Sequence, residues 1–503
     1  MTTRKIPSTM ASQHPDHAAK PYWHTEAFIS TAHEMRELFL AFSELGIDEY
    51  KWDWEGKFVD ESVVDRLMQE HFDYFKQHQL GQEKFLTFRL PNPKVEMEFR
   101  LGRAFMGILG AAGLAKQVGL PTPPLFEVIL PMTESAEEMM AIEEAFAEMA
   151  SLKHALYNFG NGVLKHIEVI PLFEQVSTII RSHEILAEYV RLHKERFGTA
   201  PTSMRPYVAR SDPAMNSGLI PTVLAIKVAL SHYADFEKQT GIALYPIIGS
   251  ASLPFRGGLT PDTVEQFATE YKGVRTALIQ SAFRYDFPKE KVIEGIQALD
   301  RLLPKGKAER VSPEEEKAIQ SLIPHFVAPY QKTIEAIAPS INAIAGFLPK
   351  RRERVQHVGL FGYSRGVGAV QLPRAIGFTA ALYSLGIPPE IIGTGRGLAH
   401  AKRAGTLPTI ERFYIGMKND LERAGRFVCR DIVEGLAEKF PAWLMILEDV
   451  KGVEEYLEHE LGAVTDDERT HAFHVKTIQS ALADGQPYAD ILPSAALLRK
   501  SLG

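Results

Sequence analysis

The sequence predicts an α/β fold: a (β/α)8 TIM-like barrel elaborated with many additional α-helices. The first observation is a series of short apolar segments that begin 33 to 41 residues apart. The second is the helical pattern that separates these segments, which is typical of strand–helix alternation in a parallel sheet. The third is the length of 503 residues, about twice that of an ordinary barrel, so the excess is expected to form extra helices.

The predicted barrel strands are short runs rich in β-branched and aromatic residues, as expected for strands that are buried on both faces. They are Phe85–Leu90, Phe126–Met132, Ile167–Glu174, Met204–Arg210, Ala243–Ser250 and Thr276–Tyr285, with His357–Tyr363 and Ile391–Gly395 as two further candidates. We therefore expect one domain over 1–503. Its barrel strands would lie roughly within 85–395, between mainly helical segments at 1–84 and about 400–503.

Helix starts are marked by small polar residues that are followed by proline or by a glutamate three positions later. These starts are Ser135 with Glu138, Thr260 before Pro261, Ser312 before Pro313, and Thr465 with Glu468. Apolar residues at helical spacing over 63–75 predict a further helix that packs through one face.

The composition excludes several classes of protein. The formal net charge of −7 lacks the basic excess of a general nucleic-acid binder. The chain has one cysteine, Cys429, which fits a reducing compartment. No apolar signal segment follows Arg4 and Lys5, and no long uncharged stretch reaches bilayer length. We expect a cytoplasmic protein with no nucleic-acid or membrane partner. A Walker A motif and a His-Glu-x-x-His motif are both absent from the sequence.

Charged and small polar residues follow the predicted strands at their carboxyl ends, where a barrel forms its active site. They are Arg89, Glu174, Arg210, Ser211, Asp212, Ser250, Arg256, Arg284, Ser364 and Arg365. Carboxylates of this kind hold Mg²⁺ or Mn²⁺, and arginine forks bind phosphate or carboxylate groups. Taken singly, each such residue is more often a surface group or an ion-pair partner.

The glycines beside Arg256 are expected to let the backbone approach a phosphate closely. We therefore predict that Arg210, Arg284, Gly257 and Gly258 bind an anionic substrate. The segment 14–17 contains two histidines and an aspartate whose spacing suits a metal, although polar surface is the more ordinary interpretation.

A series of long motifs in a fixed order resembles one known family. The motifs are Ser12–Asp16, Phe85–Arg89, Val169–Glu174, Ala209–Asn216, Leu253–Leu259, Gln280–Asp286, Gly362–Arg365 and Leu372–Ala375. Together they resemble the short, archaeal-type phosphoenolpyruvate carboxylases over nearly the whole chain.

The resemblance implies an irreversible carboxylation of phosphoenolpyruvate by bicarbonate, which gives oxaloacetate and phosphate through carboxyphosphate and a metal-bound enolate. It implies a homotetramer that uses Mg²⁺ or Mn²⁺. The implied metal ligands are Glu174 and Asp212, the implied catalytic residues are His14, Arg256, Arg365 and Arg374, and Arg89 is implied to bind substrate.

Two alternatives of other kinds stay open on the residues alone. One is another metal-dependent barrel enzyme that acts on phosphoenolpyruvate or a 2-oxo acid, such as a mutase, lyase or aldolase. The other is a helix-rich scaffold that binds phosphorylated metabolites without turnover. Bicarbonate-dependent phosphate release would distinguish a phosphoenolpyruvate carboxylase from the first alternative. Turnover with Mg²⁺ would distinguish it from the second.

Overall fold

The computed structural model describes residues 4–54, 61–94, 96, 98–154, 157–158, 164–353, 366–367 and 370–503. Eight parallel strands form a closed barrel in which each strand pairs with its neighbours in the chain and the last pairs with the first. The strands are β1 (Thr9–Ser12), β2 (Glu49–Asp53), β3 (Phe85–Arg89), β4 (Glu127–Leu130), β5 (Glu168–Phe173), β6 (Tyr207–Val208), β7 (Ile247–Ile248) and β8 (Thr276–Ile279). The predicted (β/α)8 barrel is therefore confirmed.

The six apolar runs predicted over 85–285 contain β3 to β8, although several strands are shorter than the runs. Two runs break in the middle, so that Ser203–Met204 pairs with Ala243–Leu244 outside the barrel. The sixth run changes structure after Ile279, because Ser281–Tyr285 is helical.

The predicted limits of the barrel are wrong at both ends. The first two strands, β1 and β2, lie in the segment that was expected to be mainly helical. Ile391–Gly395 is not a strand, since it forms a turn that leads into a helix beginning at Thr394. The candidate strand His357–Tyr363 lies outside the described residues.

The sequence of β2 explains why it was missed. Glu49, Lys51 and Asp53 alternate with Tyr50 and Trp52, and all five side chains are buried. Successive side chains of a strand point to opposite faces, so β2 directs its charged residues into the barrel and its aromatic residues outward against the helices. A search for continuously apolar runs passes over such a strand.

The helices follow the strands as in other barrels, and those from α12 onward are additional to it. The α-helices are α1 (Thr31–Ser43), α2 (Val63–Gln77), α3 (Glu98–Gln117), α4 (Ala136–Ser151), α5 (Val176–Ile180), α6 (Ser182–Phe197), α7 (Ser211–Ser217), α8 (Leu219–Thr240), α9 (Val264–Glu270), α10 (Ser281–Tyr285), α11 (Lys289–Leu302), α12 (Pro313–Ala345), α13 (Ala375–Ser384), α14 (Thr394–Arg403), α15 (Leu407–Phe413), α16 (Met417–Gly425), α17 (Arg430–Ala437), α18 (Pro441–Leu457), α19 (Asp466–Asp484) and α20 (Ile491–Leu498).

The predicted helix starts are confirmed. The Ser135 side chain accepts a hydrogen bond from the Glu138 backbone N–H. Ser312 and Thr465 form capping boxes with Glu315 and Glu468, and Thr260 caps a short 3₁₀ helix. These bonds satisfy backbone donors that the first helical turn leaves without an intrahelical partner.

A second apolar core joins the barrel to the additional helices. The long helix α12 lies at its centre and packs against α8, α13, α14 and α18. Among the described residues, α8 alone is long and apolar enough to span a bilayer, but 83% of its apolar stretch is buried inside the protein. Its apolarity is therefore explained by its place between the two cores.

Candidate active site

A cavity of about 350 Å³ lies at the carboxyl ends of the barrel strands. Polar side chains from the segments after β1, β5, β6 and β7 meet there, together with residues of β2 and β3. The predicted site residues that line it are His14, Arg89, Glu174, Arg210, Asp212, Arg256 and Arg374. The structure thus brings into one cavity residues that are up to 360 positions apart in the chain.

His14 lies two residues beyond β1, in a loop that is fixed by Ser281. The Ser281 hydroxyl donates to the His14 carbonyl oxygen at 2.6 Å, and it accepts from the backbone N–H of Asp16 at 3.0 Å. Asp16 in turn accepts a hydrogen bond from the Ala282 backbone N–H at 2.8 Å. His14 therefore points into the cavity from a loop that is tied to the start of α10. The neighbouring His17 does not line the cavity, since its ring contacts Ser281 and Ala27.

Arg256 crosses the wall of the cavity and is 3% exposed. Its Nε donates to Ser211 Oγ at 3.1 Å, its Nη2 donates to Gln280 Oε1 at 2.8 Å, and its Nη1 donates to the Gly503 carbonyl oxygen. Burial lowers the pKa of Arg256, and the Asp16 carboxylate 3.5 Å away opposes this shift. The guanidinium is thus a buried cation in a fixed orientation.

The two glycines after Arg256 shape a tight loop and do not themselves line the cavity. Both have positive φ angles, 123° for Gly257 and 71° for Gly258, which favour glycine. A Cβ on Gly257 would also lie 3.1 Å from the Ser250 Cα.

Arg210 supports this loop with its guanidinium. It donates to the carbonyl oxygens of Pro254 and Phe255 at 3.2 and 3.1 Å, and its Nε donates to the Tyr271 hydroxyl at 3.0 Å. Although Arg210 lines the cavity, these contacts direct its charge toward the backbone that carries Arg256.

The remaining predicted arginines have different surroundings. Arg89 makes a bidentate pair with Asp53 of the adjacent strand, with both distances 2.6 Å. Arg284 does not line the cavity, because it is buried beside Glu37 at 3.1 Å and donates to the Ser12 carbonyl oxygen at 2.7 Å. Arg284 therefore supports the carboxyl end of β1 without lining the cavity. Arg374 is exposed at the start of α13, and Arg365 lies outside the described residues.

The donor set in the cavity fits a hard divalent cation. Glu174 follows β5, and Asp212 lies in the first turn of α7 after the adjacent strand β6. No group of three or more potential protein ligands was found in the described part of the chain. Two carboxylates, with the remaining positions left to substrate oxygens and water, match the way proteins hold Mg²⁺ and not the four-ligand sites of structural zinc.

Several lining residues were missed by sequence reasoning: Lys51, Tyr207 and Gln280. Gln280 begins the motif Gln280–Asp286 from which Arg284 was selected, so its place in that motif could have identified it. Lys51 gave no such signal, because it lies in the unrecognised strand β2.

Comparisons with known proteins agree with this geometry. A family model described as phosphoenolpyruvate carboxylase matches residues 6–503. The chain is 41% identical to the phosphoenolpyruvate carboxylase of Leuconostoc mesenteroides over the full length of both proteins. It is 38% identical to that of Metallosphaera sedula over 99% of this chain and 100% of the relative. With that of Pyrococcus horikoshii it is 39% identical over 86% of this chain and 91% of the relative.

These matches decide among the alternatives that the residues alone left open. They cover the barrel, the additional helices and every motif on which the resemblance was based. Another type of barrel enzyme and a scaffold without turnover are therefore excluded, and the chain belongs to the short, archaeal-type phosphoenolpyruvate carboxylase family of carboxy-lyases.

Proposed function

We propose that the cavity at the carboxyl ends of the barrel strands binds phosphoenolpyruvate and bicarbonate and converts them to oxaloacetate and phosphate. The observation that carries this proposal is the convergence of His14, Arg256 and Arg374 with Glu174 and Asp212 in one cavity. Both substrates are anions, and the reaction moves a phosphoryl group before it forms a carbon–carbon bond. Arginines, paired carboxylates and one histidine are the groups that such a sequence of steps requires.

In the first step, a bicarbonate oxygen attacks the phosphorus of phosphoenolpyruvate. The bond from phosphorus to the enol oxygen breaks, which gives carboxyphosphate and the enolate of pyruvate. Arg256 and Arg374 stabilise the charge on the transferring phosphoryl group, and Arg89 with Arg365 helps to hold the substrates. Because Arg256 is already oriented by Ser211 and Gln280, it needs no rearrangement in the transition state.

Mg²⁺ or Mn²⁺ held by Glu174 and Asp212 would supply positive charge opposite the phosphate and enolate oxygens. Both carboxylates line the same cavity as the arginines. The positions left beyond these two protein ligands suit a cation that also binds substrate and water.

In the second step, the carboxyl proton of carboxyphosphate leaves as its bond to phosphate breaks and CO₂ forms. His14 accepts this proton, because it is the titratable group best suited to do so near neutral pH. The enolate carbon then attacks CO₂. Water must be excluded at this stage, since a protonated enolate is released as pyruvate.

The experiment that tests the proposal is a paired assay of phosphate and oxaloacetate with Mg²⁺, in the presence and absence of bicarbonate. We expect the two products in equal amounts, both dependent on bicarbonate. Phosphate release that does not depend on bicarbonate would contradict the proposal. The molecular mass of the purified protein, measured by sedimentation, tests the homotetramer that the family implies. Cell fractionation tests the cytoplasmic location.

The variant His14→Asn separates the two steps. We expect it to release phosphate from phosphoenolpyruvate with bicarbonate present but to form pyruvate in place of oxaloacetate, because phosphoryl transfer does not need the base. His17→Asn is not a suitable control, since that ring is buried and supports the loop. His474→Asn, on the partly exposed surface of α19, should behave as the unmodified protein. Equal phosphate and oxaloacetate from His14→Asn at the normal rate would remove His14 from catalysis.

A further inference from the structure

The imidazole of His14 is contacted at both of its ring nitrogens by residues outside the predicted site. Ser12 Oγ lies 3.1 Å from Nδ1, and Lys51 Nζ lies 3.5 Å from Nε2. Ser12 and Lys51 are each 0% exposed. Ser12 ends β1, and Lys51 is opposite it at the centre of β2, where the two strands pair. The ring is therefore held between two adjacent strands of the barrel.

The chemistry of the two contacts fixes the position of the imidazole proton. A lysine ammonium has three donors and no acceptor. For Lys51 to bond to Nε2, that nitrogen must present its lone pair, so the ring proton must be on Nδ1. Nδ1–H then donates to Ser12 Oγ, since a hydroxyl oxygen can accept. The other tautomer would place an N–H against the ammonium.

We infer that Lys51 and Ser12 are positioning residues that hold His14 as a neutral imidazole with its proton on Nδ1 and the lone pair of its basic nitrogen, Nε2, directed at Lys51, which lines the same cavity. This inference rests on the proposed role of His14 as the base. Lys51 contributes through its charge as well, because a cation beside the ring disfavours the imidazolium form. The carboxylates Glu174 and Asp212 and the arginines Arg89, Arg256 and Arg374 also line this cavity.

The arrangement suits the removal of a proton and not its delivery. The hydrogen bond from Lys51 to His14 Nε2 breaks, the O–H bond of the carboxyl group in carboxyphosphate breaks, and the carboxyl proton binds to the lone pair that Lys51 has left on Nε2. The electron pair left on oxygen forms the second C=O bond of CO₂, while the C–O bond to phosphate breaks and phosphate departs with its electrons. A histidine protonated from the start could not accept this proton. It could instead protonate the enolate, which would divert the reaction to pyruvate.

The test uses ¹⁵N NMR of the full-length protein labelled at its 17 histidines, with His14→Asn to assign the His14 signals. We expect the unmodified protein to show the Nδ1–H tautomer near neutral pH. In Lys51→Met we expect the Nε2–H tautomer or the imidazolium to become populated, and the ratio of oxaloacetate to phosphate to fall at least tenfold while phosphate release persists. Lys51→Arg keeps a donor-only cation and should retain the tautomer.

Lys84→Met is the matched control. Lys84 is also buried, but its ammonium donates to the carbonyl oxygens of Gly46 and Ile47, away from the cavity. It should leave both the tautomer and the product ratio unchanged. An Nε2–H tautomer in the unmodified protein, or an unaltered His14 spectrum in Lys51→Met, would overturn the inference even if oxaloacetate formation were normal. Absence of bicarbonate-dependent oxaloacetate in the unmodified protein would instead count against the proposed function.

Discussion

The guanidinium of Arg256 is bound through all three of its nitrogens by groups from different parts of the chain. Ser211 lies at the start of α7, Gln280 follows β8, and Gly503 is the last residue of the sequence. A lysine carries its charge at a single point and cannot reproduce a planar fork. The shape of the side chain therefore matters here as much as its charge.

Arg256→Lys is expected to lower kcat by roughly 10²–10³, the usual cost of losing one donor to a transition state. KM for phosphoenolpyruvate should change less, because the interaction strengthens as the phosphoryl group transfers. Steady-state kinetics measures both. Arg412→Lys, in which a half-exposed arginine of α15 is replaced, is the control and should keep its kcat. A kcat within twofold of normal in Arg256→Lys would rule out fork recognition at this position.

Glu174→Ala and Asp212→Ala are expected to weaken Mn²⁺ binding sharply and to abolish turnover, because each removes one of the two carboxylates offered to the metal. Titration of Mn²⁺ followed by electron paramagnetic resonance measures the affinity, and circular dichroism verifies that the variants fold. Glu188→Ala removes a partly exposed carboxylate of α6 and should bind Mn²⁺ normally. Unchanged affinity in either site variant would remove that residue from the metal site.

At the scale of the element, the loop 250–259 is rigid because its backbone is bonded on several sides. Arg210 holds the carbonyl oxygens of Pro254 and Phe255, and Arg423 donates to the Gly258 carbonyl oxygen at 3.2 Å. On the third side, the Glu390 side chain accepts from the Phe255 backbone N–H at 2.7 Å. Glu390 is fully buried and also contacts the Tyr383 hydroxyl at 2.9 Å.

Glu390→Gln is expected to change how stability depends on pH. Burial raises the pKa of Glu390 from 4.5 to about 7. Between these values the carboxyl group ionises in the unfolded chain but stays protonated in the folded one, so the free energy of unfolding falls as pH rises, by on the order of 3 kcal/mol in total. Glutamine keeps the acceptor for Phe255 and cannot ionise, so this loss should disappear.

Urea unfolding of Glu390→Gln at several values from pH 4.5 to pH 7.5 measures the effect as a difference from the unmodified protein. The stability of the variant relative to that protein should increase with pH across this interval. Glu448→Gln, at an exposed position of α18, should show no such trend. A constant difference between Glu390→Gln and the unmodified protein at all pH values would show that Glu390 ionises normally.

How well each element could be predicted depended on where its charged residues point. The strands β3 to β5 have continuous apolar runs, and the helices α4, α12 and α19 begin at standard caps, so local sequence identifies them. β2 could not be recognised, because its alternate charged residues are stabilised by partners that are distant in the chain, such as Arg205 for Glu49 and Arg89 for Asp53. The same holds for the residues of the candidate site. Arg256 could be identified from its motif, whereas Lys51 could not, because its contact with His14 depends on the pairing of β1 with β2.

At the scale of the whole molecule, the barrel interior is divided into three layers along its axis. At the amino ends of the strands, Arg205 pairs with Glu49 at 2.6 Å and with Glu127 at 2.8 Å, and Arg4 also contacts Glu127. At the carboxyl ends lies the cavity. The middle layer is made of apolar side chains from β1 and β4 to β8 and from the residue after β6: Met10, Ile129, Ile170, Leu172, Tyr207, Ala209, Ile247 and Leu278.

Arg205→Met is expected to destabilise the protein by about 3–5 kcal/mol, because it removes the arginine partner of buried Glu49 and leaves buried Glu127 with Arg4 in place of two arginines. The value of kcat measured at low temperature should stay close to normal, since the ionic layer lies at the end of the barrel opposite the cavity. Urea unfolding and steady-state kinetics measure the two effects. Combining Arg205→Met with Glu49→Gln and Glu127→Gln should restore part of the stability. A tenfold loss of kcat with unchanged stability would contradict this separation.

The apolar middle layer also bears on how this enzyme could be re-engineered. The six residues of β5 span roughly 20 Å along that strand, whereas Glu49 of the ionic layer and Lys51 of the cavity are neighbours on one face of β2, roughly 7 Å apart. Free-energy effects usually add only at sites more distant than this. Away from β2, substitutions chosen for heat resistance at one end could therefore be selected separately from substitutions chosen for a new acceptor at the other. The two sets could then be joined in one chain without a further round of optimisation.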